Sequence, residues 1–515
     1  MDDRATGMKT GFRQSIAGLH SWSGLILGWL LFAIALSGTA TVFRSEISGW
    51  MRPEVVATTP PDAAIKAAVR WLEAHHPKAA GWYLTAPDER IPTTQAVFDD
   101  AAAPAGYRDI ALDPVSGSPD VARATLGGEF LYRFHFELQL PYPWGRYLAV
   151  AAAMLMLIAI VSGIIVHKRI FKDIFTFRAG KGKRSWLDAH NVLGVLALPF
   201  HLMITVTGIV TLLSLVMPWG TAANYGEDLK TAFAEAAPGL VSRDPAGRPA
   251  PLAPIGPMLA AAQHRFGEGR VGRVSIANPG DVNAIVTISR HDGDQLAYAA
   301  QTVSFDGPSG QILKTYAETR PAQRTYDVLY GLHMGRFAPQ VSRWLYFLCG
   351  LALAATIATG LILWIRSRPQ ARGAGPWIAA RLNVGAVAGF PAAILGFFYA
   401  NRLFPVDIPE RAEAEVSAFF WVWGAAILFA MLREPARAWR EAFAVLAAAA
   451  ALLPVVSFVA TGRGLWSAVI GGDWLFAGFD LTLFAFAVLA AAIARRAGVA
   501  SADSARRRGP RAVPA

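Results

Sequence analysis

The sequence predicts an α-helical integral membrane protein of about eight transmembrane helices, with two small α+β domains on one side of the bilayer. Three observations carry that expectation. The chain has 515 residues, 54% hydrophobic and only 17% charged, where a soluble domain carries about 25% charge. Runs without Asp, Glu, Lys or Arg recur along it, most of them meeting the requirement of about 20 residues for a spanning helix. Lys and Arg cluster beside alternate runs, as topology demands. The net charge of +11 therefore sets orientation, and no nucleic acid is expected as a partner. The single cysteine, Cys349, excludes an intramolecular disulfide, a Cys-based zinc site, an iron–sulfur cluster and covalent c-type haem.

The first span is expected within residues 14–43. It is too long for a cleavable signal peptide and lacks a small-residue cleavage site. Residues 44–146 read as the first outer domain, with a helix at Asp62–His75 and strands near Ala96–Phe98 and Asp109–Leu112. Span two covers 147–167, a basic loop 168–187 and span three 188–219. Residues 220–343 read as the second outer domain, with a helix at Pro254–Phe266 and short strands at Val271–Ile276, Ala284–Ser289 and Tyr298–Phe305. Span four is 344–366. A four-helix region fills 376–496, with apolar runs at about Leu382–Ala400, Val416–Leu432, Ala442–Thr461 and Trp474–Ala494, and a basic tail follows at 497–515.

Five basic segments fall on one face. They hold Arg4, Lys9 and Arg13; Lys168, Arg169, Lys172, Arg178, Lys181, Lys183 and Arg184; Arg366, Arg368 and Arg372; Arg433, Arg437 and Arg440; and Arg495, Arg496 and Arg506 to Arg508. The positive-inside rule assigns that face, with both termini, to the cytoplasm and the outer domains to the periplasm.

The two halves of residues 10–370 match each other. Span one begins LHSWSGLILGW and span three AHNVLGVLALPF. His20 and Gly24 stand four apart, as do His190 and Gly194; Gly38 and Gly208 each follow the histidine by 18 residues. The outer domains contain the related turns LDPVSGSP and FDGPSGQI, then the histidine segments RFHFEL, with His135, and GLHMGRF, with His333. Spans two and four end as SGIIVHKR and TGLILWIR. Residues 371–515 lie outside this pattern and contain no histidine.

Of ten histidines, His75, His76, His264 and His291 lie in the outer domains and read as surface residues. His20, His135, His167, His190, His201 and His333 lie in or beside spans, where ionisable groups are costly and read as functional. Proton or ion pathways need Asp or Glu partners, and a metal-transport site needs carboxylates, thiolates or Met clusters; the first four spans offer essentially neither in their interiors. Haem fits better, because low-spin iron takes two axial imidazoles and the porphyrin needs an apolar slot between helices. Gly24, Gly28 and Gly194 stand at helical spacing from the histidines, where they would give that slot room. His20, His190 and His167 form an inner layer; His135 and His333, at the periplasmic ends of spans two and four, form an outer one with His201. Two b-type haems would then make an electron wire; spacing does not fix the pairing, but matching repeat positions favour His20 with His190 and His135 with His333, with His201 as the main rival in the outer layer.

The runs LHSWSGLILGWLLFAIALSGTATVFRSEI, LDAHNVLGVLALPFHLMITVTGIV, GLHMGRF and TGLILWIRSR resemble the PepSY-associated transmembrane family, which includes the siderophore reductases. The resemblance covers residues 10–370 and both PepSY-like outer domains. It implies a di-haem, multi-pass protein of the bacterial inner membrane that reduces ferric siderophores in the periplasm. His20, His135, His190 and His333 match the family's recurrent histidines as haem-iron ligands, with His201 and His167 as further candidates. The four C-terminal spans depart from the family's four-span plan.

The chain has no Rossmann glycine fingerprint and no P-loop, so electrons are expected from a cytoplasmic reductase, a flavin or membrane quinol. The acceptor would be a ferric siderophore or another ferric chelate. The stretch Lys168–Arg184 suits anionic lipid headgroups or an acidic donor. Two other classes compete with a haem-dependent ferric-chelate reductase: a permease for siderophore, haem or flavin, and a peptide-binding sensor or assembly factor.

Overall fold

The computed structural model describes residues 11–55, 59–103, 106–167, 177–368 and 373–507. Arg4, Lys9, Lys168, Arg169, Lys172, Arg372 and Arg508 of the basic segments lie outside the described residues.

The first apolar run folds as two helices, α1 (Phe12–Ile26) and α2 (Gly28–Thr41), bent by 66°. Helices α3 (Arg44–Trp50) and α4 (Pro61–His75) lead to strands β1 (Gly81–Thr85), β2 (Thr94–Asp99) and β3 (Tyr107–Leu112). A separate helix, α5 (Gly128–Glu137), precedes the spanning helix α6 (Trp144–Val166). The same order follows with α7 (Lys183–Leu196) and α8 (Leu198–Thr211), bent by 67°. Three short helices, α9 (Leu213–Val216), α10 (Trp219–Tyr225) and α11 (Leu229–Ala236), come next. Helix α12 (Ile255–Phe266) and strands β4 (Val271–Ala277), β5 (Ile285–Arg290), β6 (Gln301–Asp306) and β7 (Ile312–Ala317) complete the outer part. Helix α13 (Pro321–Met334) then precedes the span α14 (Gln340–Arg366).

The bends have local causes. Leu27 and Ala197 both leave the helical region, at φ −114° and −104°. Pro199 stands in the first turn of α8, where its missing N–H cannot donate back to α7 and so ends the continuous helical ladder. After Leu27, Gly28 lets the backbone approach α14: a Cβ there would stand 2.7 Å from Leu361 Cδ2.

The C-terminal part contains α15 (Ala374–Val387), α16 (Gly389–Leu403), α17 (Arg411–Leu432), α18 (Pro435–Thr461), α19 (Leu465–Gly471) and α20 (Trp474–Arg507). Helices α15 and α16 together make one apolar stretch of 30 residues. Among the described residues six such segments are long and apolar enough to cross a membrane, and eight when each bent pair counts as one span. The chain is a multi-pass membrane protein.

The outer segments differ from the sequence reading. They do not make two sheets but one seven-stranded antiparallel sheet of order β3-β2-β1-β4-β5-β6-β7. The join is β1 against β4, with Tyr83 opposite Ser275. Strands β1 and β7 were missed by the periodicity. β7 alternates poorly because most of its side chains are exposed, and β1 is only five residues long. One core serves both halves: α4 and α12 lay Ile65, Leu72, Met258 and Leu259 on Trp82, Phe98, Ile276 and Phe305. The two related turns close alike. Asp113 accepts from the Ser116 N–H and hydroxyl, and Asp306 from those of Ser309. Gly117 and Gly310 follow at φ +75° and +70°, where a side chain is disfavoured.

The C-terminal helices grip the first half at the sheet side. Phe130 and Phe134 of α5 pack on Phe390, Phe397 and Phe419. Beside them lies a buried polar clasp. Arg411 and Glu415 pair with 1% and 0% side-chain exposure. Glu415 also accepts from the Thr125 hydroxyl and from Asn401 Nδ2 at 2.8 Å. Arg123 bonds Glu54 and the Asn401 carbonyl, both at 2.6 Å. Arg402 lies 3.6 Å over the Trp50 ring.

Candidate functional site

Four of the six candidate histidines meet in two pairs. His20 of α1 and His190 of α7 have ring centres 6.1 Å apart, edge to face at 69°. His135 of α5 and His333 of α13 also stand 6.1 Å apart, with rings inclined at 27°. His135 and His333 therefore sit on short helices of their own, not on the ends of spans two and four as the sequence reading had them.

Every ring is held through Nδ1 by a helix carbonyl. His20 bonds Ala159 O at 2.9 Å and His190 bonds Thr356 O at 2.9 Å. His135 bonds Ile34 O at 2.7 Å and His333 bonds Ile204 O at 3.1 Å. A carbonyl only accepts, so Nδ1 carries the proton and Nε2 keeps its lone pair. Hydroxyls assist: Ser162 stands 3.2 Å from His20 Nδ1, Thr359 3.2 Å from His190 Nδ1 and Thr207 3.2 Å from His333 Nδ1. The same hydroxyls also donate to those carbonyls from within their own helices, so Ala159, Thr356 and Ile204 each accept from a hydroxyl and a ring together. Among the described residues no hydrogen bond occupies Nε2 of the four rings.

Glycines let the rings in. A Cβ at Gly163 would lie 3.2 Å from His20 Cε1, and one at Gly360 3.3 Å from His190 Cε1. The outer pair is tighter, with 2.5 Å from Gly38 to His135 Cε1 and 2.8 Å from Gly208 to His333 Cε1. Sequence reasoning gave Gly24, Gly28 and Gly194 a different role, room for the porphyrin, and these three do not abut the rings. Gly28 and Gly194 instead face Leu361 and Thr356, and Gly24 has no atom within 4 Å of a Cβ position. The signal that finds the right glycines is their match between the halves: SGIIV with TGLIL, and Gly38 with Gly208. Gly38→Val is expected to destabilise the protein by about 1–3 kcal/mol through overpacking. Gly24→Ala is expected to be near neutral. Thermal midpoints of the two variants in detergent check the contrast.

His201 and His167 stay outside the pairs. His201 is buried on α8 with Nε2 unbonded, its ring 6.4 Å from Phe200. His167 caps α6, its Nε2 3.2 Å from Asn191 Nδ2. Among the described residues no group of three or more His, Cys, Asp or Glu could hold a metal ion, so any metal here rests on two imidazoles.

Paired imidazoles suit haem iron. Metal–imidazole bonds of about 2 Å put the centres of two rings sharing one ion about 6 Å apart, the spacing of both pairs. Ring N–H groups fixed by carbonyls are also the usual support of metal-ligating histidines. The donor set, its spacing and the free Nε2 atoms fit a bis-histidine haem at each pair. Helix α5 enters the site from the sheet side: Gly128 abuts Arg44 at the head of α3, and His135 abuts Gly38 on α2. The outer pair is thus nearer the sheet, and the inner pair nearer the end of α6 that meets Arg13.

A family model, the PepSY-associated TM region, matches residues 17–367. The chain belongs to the PepSY-associated transmembrane family. All four paired histidines fall inside the matched part, and α15 to α20 lie beyond it. The chain is also similar to an uncharacterized protein of Pseudomonas aeruginosa. They are 26% identical over 327 residues, 59% of this chain and 79% of the relative.

Proposed function

We propose that this PepSY-associated membrane protein is a transmembrane electron carrier of the bacterial inner membrane, which binds two b-type haems and reduces a ferric siderophore or other ferric chelate on the sheet side. The observation that carries the reading is the doubled geometry: two imidazole pairs, each at 6.1 Å, each ring fixed through Nδ1. Offsets of 170 residues relate His20 to His190 and Ile34 to Ile204, and offsets of 197 relate Ala159 to Thr356. We read this as an internal duplication in which each half supplies one histidine to the single pair of each layer.

A bis-imidazole haem supplies reversible one-electron chemistry when bound. The chain's own residues fix where that chemistry sits. His20 and His190 would hold the inner iron and His135 and His333 the outer one, among the apolar helices α2, α8 and α14. Residues 20 and 34 are 14 apart, at most about 21 Å of helix, so the layers are close in depth. One electron converts the ferric ion of the chelate to ferrous, which hard oxygen ligands hold more weakly.

The electron source best supported is a membrane quinol, which yields two electrons and two protons on becoming a quinone. A cleft of about 510 Å³ lies between α1, α2, α14 and α15, lined by Trp22, Trp29, Trp364 and Arg368. Arg368 reaches the Ser21 hydroxyl at 3.3 Å, beside His20. Such an aromatic, apolar lining suits a donor dissolved in the bilayer over a water-soluble flavoprotein.

Absorption spectroscopy of purified protein tests the reading. About two haems per chain are expected, with a sharpened α-band on dithionite; colourless protein from haem-replete cells would end it. Orientation has its own check. Alkaline phosphatase fused after Thr59 is expected to be active, and fused after Lys183 inactive.

A further inference from the structure

One turn above the outer histidine pair the two halves place a matched pair of tyrosines. Tyr132 precedes His135 by three residues on α5, and Tyr330 precedes His333 by three on α13, so each shares a helix face with its histidine. Two arginines lie against this layer. The Arg44 guanidinium sits 4.6 Å over the Tyr132 ring, and Arg336, just past the end of α13, sits 5.5 Å over Tyr298. The Tyr298 and Tyr330 rings are 4.9 Å apart.

Two features leave the layer able to take a further anion. Burial first, then the charge of Arg336, holds Arg44 below the usual guanidinium range, whereas at Arg336 burial is outweighed by Tyr298 and Asp292, which hold it above that range. The Tyr298 hydroxyl is buried with no hydrogen-bond partner, which carries a desolvation cost unless something accepts from it. Burial also pushes the Tyr298 phenol up, so it stays a neutral donor. Each arginine has one carboxylate partner, Arg44 with Glu129 at 3.2 Å and Arg336 with Asp292 at 3.0 Å. A guanidinium has five N–H donors in a fork that matches a carboxylate, so each keeps donors for a second one.

We propose that Arg44, Arg336 and the Tyr298 hydroxyl form a cradle for the carboxylates of a ligand seated over His135 and His333. The chemistry has two sources: the propionates of a haem held by that pair, or a carboxylate chelate arriving with ferric iron. The inference rests on the haem reading for its first source and on the ferric-reductase reading for its second.

The experiment compares wild type with the Arg44→Gln/Arg336→Gln protein, and with Arg336→Gln and Tyr298→Phe singly in case the double variant does not fold. Haem per chain, a spectroscopic redox titration, and KM for ferric citrate and for a neutral ferric trihydroxamate are measured. If propionates fill the cradle, haem content or the potential of the outer couple falls, because two positive charges that disfavour ferric iron are gone, and both KM values hold. If the chelate fills it, spectrum and potential hold, while KM rises at least tenfold for ferric citrate alone. Wild-type spectrum, potential and KM in the variants, against a wild type that binds haem and reduces chelate, would overturn the cradle and leave the reductase standing. Colourless, inactive wild type would overturn both.

Discussion

Alanine at position 333 is expected to remove one haem equivalent and to stop reduction of ferric chelate on the sheet side. The pair leaves no spare ligand. His333 meets only His135 in its layer, and no cluster of three metal-binding groups exists among the described residues. His201, the obvious substitute on α8, does not stand in the pair. The inner pair is built by α1 and α7 on carbonyls of α6 and α14, so its spectrum should persist and stay reducible from the opposite side. Proteoliposomes with a ferrous-specific dye confined to the sheet side read the loss directly. Wild-type rates in a variant lacking His135, His333 and His201 together would sink the electron-carrier reading and favour a permease.

Glu415→Ala should cost about 3–5 kcal/mol, the usual effect of removing one partner of a buried ion pair. Arg411 is 1% exposed, and its charge would be left in an apolar setting. Thr125 and Asn401 lose their acceptor at the same time. The damage reaches the site through a short path: Thr125 is followed by Leu126 and Gly127, and then by α5 with His135. A fall in thermal midpoint accompanied by weakening of the outer pair's spectrum is the expected result. Replacing Arg411 and Glu415 together by Met and Leu should recover much of the stability, since well-packed apolar residues often substitute for a buried pair. A Glu415→Ala protein with the wild-type midpoint would show that the clasp does not hold the C-terminal helices in place.

The membrane architecture was legible because hydropathy acts locally: each run of apolar residues declares its helix without reference to the rest of the chain. The four paired histidines were legible because they recur in matching segments and because a histidine in an apolar run is costly without a role. Three things were hidden for physical reasons. Matching positions favoured His20 with His190 and His135 with His333, but what leaves His167 and His201 out of the pairs is how α1 meets α7 and α5 meets α13, which no spacing along the chain encodes. The fusion of the outer strands depends on one strand contact, β1 with β4, across nearly 190 residues. The Arg411–Glu415 clasp looked like ordinary charges at the end of a span, since its partners Thr125, Arg123 and Glu54 lie far upstream.

The strand contact has an implication for how such a chain could arise. Ala86–Pro87 follows β1 as Asn278–Pro279 follows β4, so residues 192 apart correspond. Tyr83 corresponds to Ser275, and these two are partners in the ladder; Trp82 faces Ile276 and Leu84 faces Val274 on either side. The ladder is therefore symmetric about its own midpoint, the signature of a self-complementary, isologous contact. A half-length chain ending before α7 would carry an open β1 edge that fits the β1 edge of an identical molecule in the same register. Two such molecules would bring together two copies of His20 and two of His135. On the duplication proposed above, a homodimer of half-length chains would hold both histidine pairs, and an engineered fragment of residues 1–182 tests whether the β1 edge pairs with itself.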